Sequence, residues 1–183
     1  MKKMSKVTKL ILTALCLALC LVLPQAFHTI PNAGAIYLPM HIPILLCGLI
    51  CGWSYGGICG FIGPLLSSVL TGMPPAALLP AMMLECAVYG CMAGLVMKVT
   101  RTGKVVIDLY ISLAGAMIAG RIISGIVKAF IFMPGQYNLS IWVETSLITG
   151  LPGIAIQLII IPSIIFALMK ASLLPVRYLY KAE

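Results

Sequence analysis

Long runs of apolar residues, separated by short segments rich in Pro and Gly, dominate the chain. A bilayer core of about 30 Å is crossed by about 20 apolar residues in a helix, and most of the runs have nearly that length. Strands of a membrane barrel would alternate apolar and polar residues, whereas these runs are continuously apolar. The pattern therefore predicts an all-α integral membrane protein, one domain over residues 1–183, with six spans at 8–26, 40–55, 57–72, 75–97, 106–132 and 145–169.

Small residues recur at helical spacing across the second and third predicted spans, where Gly48, Gly52, Gly56 and Gly60 are four positions apart. Such spacing lets helix backbones approach closely. The run also crosses the predicted turn at 54–57, so a tight reversal of the chain explains it equally well. Similar pairs in later spans indicate packing inside one bundle: Gly90 with Gly94, and Ala116 with Gly120.

Basic residues outside the apolar runs fall into three segments, and this distribution predicts the orientation in the membrane. Lys and Arg next to membrane spans favour the cytoplasm. Six spans place all three segments on one side, while the opposite loops 27–39, 73–74 and 133–144 contain no Lys or Arg. Both termini are therefore expected in the cytoplasm. The basic residues concerned are Lys2, Lys3, Lys6, Lys9, Lys98, Arg101, Lys104, Lys170, Arg177 and Lys181.

Composition agrees with a multi-pass protein of the cell membrane, since 62% of the 183 residues are hydrophobic and 9% are charged. The net charge of +8 is explained by the membrane-flanking segments, so no nucleic-acid partner is needed. The seven cysteines all lie in apolar runs without a Cys-x-x-Cys pair, and we interpret them as small lipid- or core-facing residues. No metal site is predicted.

Three charged residues lie well inside predicted spans, away from the cytoplasmic ends, where charges are costly and so often functional. They are Glu85 in the fourth span and Arg121 and Lys128 in the outer half of the fifth. In one interpretation, Glu85 and Arg121 form an interhelical ion pair, which leaves Lys128 to reach the interface. In the other, these cations bind a carboxylate or phosphate of a ligand.

Polar and aromatic residues in the outer loops complete a candidate binding site. The loop at 27–39 is long enough to cap the mouth of a bundle, and ligand sites combine apolar walls with a few such groups. Tyr and Trp near a membrane surface also serve as interfacial anchors, and this alternative stays open. The candidate ligand-binding residues are Glu85, Arg121, Lys128, Asn32, Tyr37, His41, Asn138 and Trp142.

Several classes of chemistry lack their sequence motifs. There is no glycine-rich phosphate loop ending in Lys-Ser/Thr and no His-Glu-x-x-His, and Asp108 is the only aspartate. Paired carboxylates or an activated serine facing a cavity are not evident either. The chain is therefore predicted not to be an enzyme, to need no cofactor and to leave any use of ATP to other subunits.

The chain resembles the substrate-binding S components of energy-coupling-factor (ECF) vitamin transporters. The resemblance extends over the full length in size and topology, and three features support it. They are Ala14-x-x-x-Ala18, the long loop after the first span, and the proline-rich segment 38–45 that begins the second. The resemblance implies that Ala14 and Ala18 dock on a transmembrane T subunit, which works with two ATPase subunits.

The resemblance further implies that a vitamin is bound from outside, in a pocket at the outer helix ends under the loop, and released inward when the protein topples in the membrane. Pantothenate is weakly favoured because its carboxylate suits Arg121 or Lys128; pyridoxine or pyrimidine precursors, niacin and cobalamin stay open. Two alternatives are an accessory membrane subunit without a ligand and a small stand-alone secondary transporter. The lack of an inverted repeat counts against the latter.

Overall fold

The computed structural model describes residues 4–27, 33–132, 137–171 and 173–174, which form helices joined by short turns and contain no β-strand. Six stretches of these residues are long and apolar enough to cross a membrane. The predicted all-α membrane fold is confirmed. The helices are α1 (Lys6–Ala26), α2 (Ala33–Tyr37), α3 (His41–Cys51), α4 (Trp53–Thr71), α5 (Leu79–Val99), α6 (Val105–Val127), α7 (Leu139–Val143) and α8 (Leu151–Lys170). Two π-helical turns, Lys128–Phe132 and Glu144–Ile148, follow α6 and α7.

The reversal between α3 and α4 and the first residues of α5 and α8 differ from their predicted positions, and each difference has a local cause. The reversal between α3 and α4 is at Gly52, not at 54–57, because its φ of 102° suits glycine. Helix α5 begins at Leu79 rather than 75, after a turn in which the Pro75 carbonyl accepts the N–H of Leu78. Helix α8 begins at Leu151 rather than 145, with Pro152 in its first turn, where the missing N–H costs no helical hydrogen bond.

Helix α5 is the centre of the bundle, because it packs against α3, α4 and α6. Its close approach to α3 and α4 depends on glycine. A Cβ at Gly90 would collide with the backbone of Gly56, and one at Gly48 would collide with the Gly90 carbonyl. Gly60 faces the backbone of Cys86 in the same way. The glycine run is thus a packing face on both sides of the reversal at Gly52.

Two apolar cores fill the bundle. The larger joins α3, α5, α6 and α8 and contains Leu45, Leu49, Tyr89, Leu113 and Ile161. The smaller joins α1, α3, α4 and α5 and is made largely of thiols. Six of the seven cysteines are buried there, namely Cys16, Cys20, Cys47, Cys51, Cys59 and Cys86. Within the described ranges, no group of three His, Cys, Asp or Glu residues is arranged to hold a metal ion.

Candidate functional site

A cavity of about 580 Å³ opens where α1 ends, α3 begins and the turn between α4 and α5 crosses the bundle. This end is opposite the basic segments, so the charge distribution places the cavity on the outer side. Its volume lies within the range of about 300–1,000 Å³ common for small-molecule sites. Four of the predicted ligand-binding residues line it: His41, Glu85, Arg121 and Lys128.

The carboxylate of Glu85 on α5 is the centre of the polar wall. Its Oε2 accepts hydrogen bonds from Ser124 Oγ at 2.7 Å and from Lys128 Nζ at 3.2 Å. Both donors come from the facing side of α6 and the turn that continues it, one helical turn apart. Of the two interpretations, the one that pairs Glu85 with Arg121 is therefore wrong, because the register of α6 against α5 brings Lys128 to Glu85 instead.

His41 lies at the start of α3 and is 3% exposed. Its Nε2 is 3.9 Å from Glu85 Oε1 and 3.9 Å from Cys86 Sγ, and its ring meets the Tyr89 ring edge to face. Its Nδ1 is buried without a hydrogen-bond partner. His41 thus extends the polar wall from α5 to α3, with hydrogen-bonding capacity that the protein leaves unused.

Arg121 on α6 is 7% exposed and lines the cavity. Its guanidinium lies against Gly150, where a Cβ would be 2.9 Å from one terminal nitrogen. The Nε has no hydrogen-bond partner, and none of the described carboxylates is within 4 Å of the side chain. The phenol of Tyr89 is a neighbour, but an un-ionised phenol does not balance a full positive charge. Arg121 therefore brings a charge to the cavity that the protein itself does not neutralise.

The described part of the predicted outer loop closes one side of the cavity and is fixed to α8. A Cβ at Gly153 would be 2.7 Å from the Ile36 carbonyl, so α2 rests directly on the backbone of α8. The buried side chain of Gln157 donates to the Leu38 carbonyl at 3.4 Å. This contact holds the turn that leads into His41.

Three other predicted residues lie outside the cavity lining. Tyr37 is half-buried and packs on Phe27, with ring centroids 5.5 Å apart. Asn138 caps α7 by accepting the Ile141 N–H at 3.0 Å. Trp142 donates from Nε1 to the Arg121 carbonyl at 3.0 Å and so positions the residue that lines the cavity. Asn32 lies outside the described residues.

Sequence reasoning missed much of the lining. Ser124, which does not line the cavity but donates to the carboxylate of Glu85, could have been found, because it lies between Arg121 and Lys128 at helical spacing on the same face of α6. Thr145 and Ser146 were hidden in a stretch assigned to a span. The apolar wall could not be read from the sequence, since its residues come from turns and helix ends; it includes Pro24, Phe27, Leu38, Pro39, Met40, Met73, Pro74, Pro75, Leu78 and Met82.

Ala14 and Ala18 are exposed on α1, which has the smallest share of buried residues among the six candidate spans. The buried positions of α1, Thr13, Cys16 and Cys20, lie on the other side, where the helix packs on α3 and α4. The two alanines therefore form a flat strip that the described bundle leaves uncovered.

A family model described as the substrate-specific component of ECF transporters matches residues 8–176, which is nearly the whole chain. No individual curated protein and no solved structure matches significantly.

Proposed function

Because the chain belongs to the family of substrate-specific components of ECF transporters, we propose that its outer cavity captures a small water-soluble vitamin that carries a carboxylate. Membership makes the chain a multi-pass protein of the cell membrane and the substrate-binding subunit of an ECF importer. Members of the family are transporter subunits rather than enzymes, and they associate with an ECF module of T and ATPase subunits.

One observation supports an anionic ligand above all others: the cavity contains a buried Arg121 without an acidic partner. Lys128 and Glu85 balance each other, so Arg121 leaves the lining with one net positive charge when His41 is neutral. A buried charge without a partner is costly, and an anionic ligand removes that cost by pairing with it. Guanidinium groups also match the planar, two-oxygen geometry of carboxylates.

Size and polarity together narrow the choice of vitamin. A cavity of about 580 Å³ suits pantothenate or niacin, whereas cobalamin is several times larger than either. Pyridoxine carries no anionic group for Arg121. Pantothenate combines a carboxylate with hydroxyl and amide groups, which suit the hydroxyls of Thr145 and Ser146 in the lining. Pantothenate is therefore the leading candidate.

In this proposal the vitamin enters from outside, beneath the segment 33–40 that α8 holds in place. The protein then reorients in the membrane to release the vitamin inward, while the T subunit and two ATPase subunits couple the movement to ATP. The sequence has no phosphate loop of its own, in keeping with this division of labour.

Thermal unfolding of the purified protein with a panel of vitamins tests the proposal. At a concentration of 100 times Kd, a ligand stabilises the folded state by about 2.7 kcal/mol. We expect one vitamin to raise Tm by several degrees, and we expect that vitamin to carry a carboxylate. If no vitamin in a broad panel raises Tm, the accessory-subunit alternative is correct. Uptake by vesicles that contain this chain but no ATPase would instead support the stand-alone transporter.

A further inference from the structure

Taking the proposed function as its premise, we infer that the ligand binds carboxylate-first. Arg121 holds the carboxylate at the inner end of the cavity, and the remainder of the ligand extends toward the mouth along the apolar wall. The inference names Arg121, and not Lys128, as the residue that selects for an anion.

The two cations differ in how their charges are satisfied. Lys128 Nζ is 3.2 Å from Glu85, and its side chain is 27% exposed, so an ion pair and solvent share its charge. Arg121 has neither form of compensation: it is 7% exposed and without a carboxylate within 4 Å among the described residues. A ligand carboxylate therefore gains more from Arg121 than from Lys128.

Their depths differ as well. Helix α6 runs from the basic side of the bundle toward the cavity, and Arg121 precedes Lys128 by seven residues. At 1.5 Å per residue this separation is about 10 Å along the helix axis. Arg121 is thus the deeper of the two cations, and Lys128 is nearer the mouth.

Neighbouring residues fix the position of Arg121 before any ligand binds. Trp142 Nε1 holds its carbonyl at 3.0 Å, and the Tyr89 ring packs directly on the adjacent Gly120. Gly150 leaves room for the guanidinium where a larger residue would displace it. These contacts fix the backbone of Arg121 and keep space for its guanidinium, so less of the residue has to be ordered during binding, which favours affinity.

The wall nearer the mouth has the opposite character. Phe27, Met73 and Pro74 come from the connecting turns, and Met82 lies one helical turn outward of Glu85 on α5. Methionine side chains adapt to ligands of varied shape. This wall contacts the body of the ligand. It presents no charged group to the end of the ligand that is far from the carboxylate.

Ligands that differ only at the carboxylate test the inference by titration calorimetry. Panthenol is pantothenate with the carboxylate replaced by an alcohol, and pantetheine carries an amide extended by an aminothiol arm at the same position. Nicotinate, nicotinamide and N-methylnicotinamide form a second series. We expect the carboxylate to bind at least about tenfold more tightly than its neutral analogue. The extended amide should bind more weakly still, because its arm would have to lie beyond Arg121 at the inner end of the cavity.

Two variants then assign the preference to one cation. Arg121→Gln should abolish the preference for the carboxylate while leaving the neutral analogue nearly unaffected. The double variant Glu85→Gln/Lys128→Met removes a balanced pair and leaves Arg121 as the positive charge of the lining, so the preference should persist. A single cooperative thermal transition in each unliganded variant confirms that it is folded, even where Tm is lowered, and Arg121→Lys provides a second variant at the same position.

Each of the remaining outcomes would contradict a particular part of the proposal. Loss of the preference in the double variant, or its retention in Arg121→Gln, would assign the anion to Lys128 and overturn the inference. Extended amides that bind as well as the neutral analogues would reverse the orientation. If only an uncharged vitamin binds, the inference fails and vitamin capture stands without the carboxylate; if no vitamin binds, the proposed function fails altogether.

Discussion

The charge of Glu85 needs the neighbouring Lys128 more than the charge of Lys128 needs Glu85. Its side chain is 16% exposed and accepts from Ser124 and Lys128, whereas Lys128 is 27% exposed and has a flexible stem that can reach water. Removal of the lysine leaves a largely buried carboxylate short of positive charge. Removal of the carboxylate leaves a cation that can move outward.

We therefore expect Lys128→Met to reduce the free energy of unfolding by about 1–3 kcal/mol, and Glu85→Gln to reduce it by less. Thermal unfolding of both variants in the same detergent measures the difference. The double variant serves as the control, because it removes both charges and should recover part of the loss. Equal losses in the two single variants would show that the pair behaves as an exposed one.

The sequence identified the ionisable residues of the site but not their pairing. His41, Glu85, Arg121 and Lys128 all line one cavity, as expected for polar groups that are costly in a membrane. Arg121 and Lys128 lie seven residues apart on one side of α6, so either could reach a carboxylate on α5. The choice depends on the register of two helices. Close packing of the Tyr89 ring on Gly120 sets that register, and a single sequence does not specify it.

Helix α5 makes closer backbone contacts than its apolar composition requires. Gly90 lies between α3 and α4, and a Cβ there would meet the backbone of Gly56, which cannot move as a flexible side chain can. Gly115 on α6 differs, since a Cβ there would be 3.5 Å from the Val96 side chain, an ordinary contact distance. The two positions allow the same substitution to be compared in different surroundings.

We expect Gly90→Ala to separate α5 from α4 and to cost about 1–3 kcal/mol, the usual range for overpacking. Gly115→Ala should be neutral or slightly stabilising, because alanine favours a helix by about 0.5–1 kcal/mol over glycine. Thermal unfolding and recovery of folded protein from membranes measure both effects. Equal stability of the two variants would contradict the close approach of α5 to α4.

At the scale of helices, the sequence predicted more of the structure than it did for the pairing of side chains. Hydropathy located six spans because each must bury about 20 residues in lipid, a requirement that acts locally. Boundaries were less certain where Pro and Gly occur inside apolar runs. Composition alone could not distinguish the reversal at Gly52 from one at 54–57, because every glycine in that run permits a turn. The π-helical turns beside the cavity have no distinct composition and were not predicted.

The two ends of the bundle differ in charge and in shape. In the described part of the chain, basic residues outside the cavity lie at the end where α1 and α6 begin and α5 and α8 finish. The cavity occupies the other end, with the acidic and basic residues of the site. Because this asymmetry follows from Lys and Arg flanking each span, the orientation could be predicted from sequence. The cavity could not be predicted from sequence, because it forms where the ends of several helices meet.

Transport by an ECF importer also requires a surface that contacts the other subunits. The exposed side of α1 is a surface that the described helices leave uncovered. Fewer than a fifth of the residues in the α1 span are buried, and Ala14 and Ala18 lie on its exposed side. Small residues one turn apart allow a partner helix to approach closely, so they suit the T subunit with which the family associates. The cavity and this strip are separate, which allows binding and transport to be tested independently.

We expect Ala14→Trp to leave vitamin affinity unchanged and to abolish ATP-dependent uptake in cells that contain the full ECF module, because the indole would hold a docking helix away from α1. Ile118→Trp is the matched control, since it places the same indole on a lipid-facing, 60% exposed position of α6. Uptake should persist in that variant. If Ala14→Trp instead loses binding and uptake together while Ile118→Trp retains both, the strip supports the internal fold, and the T subunit must dock on another surface.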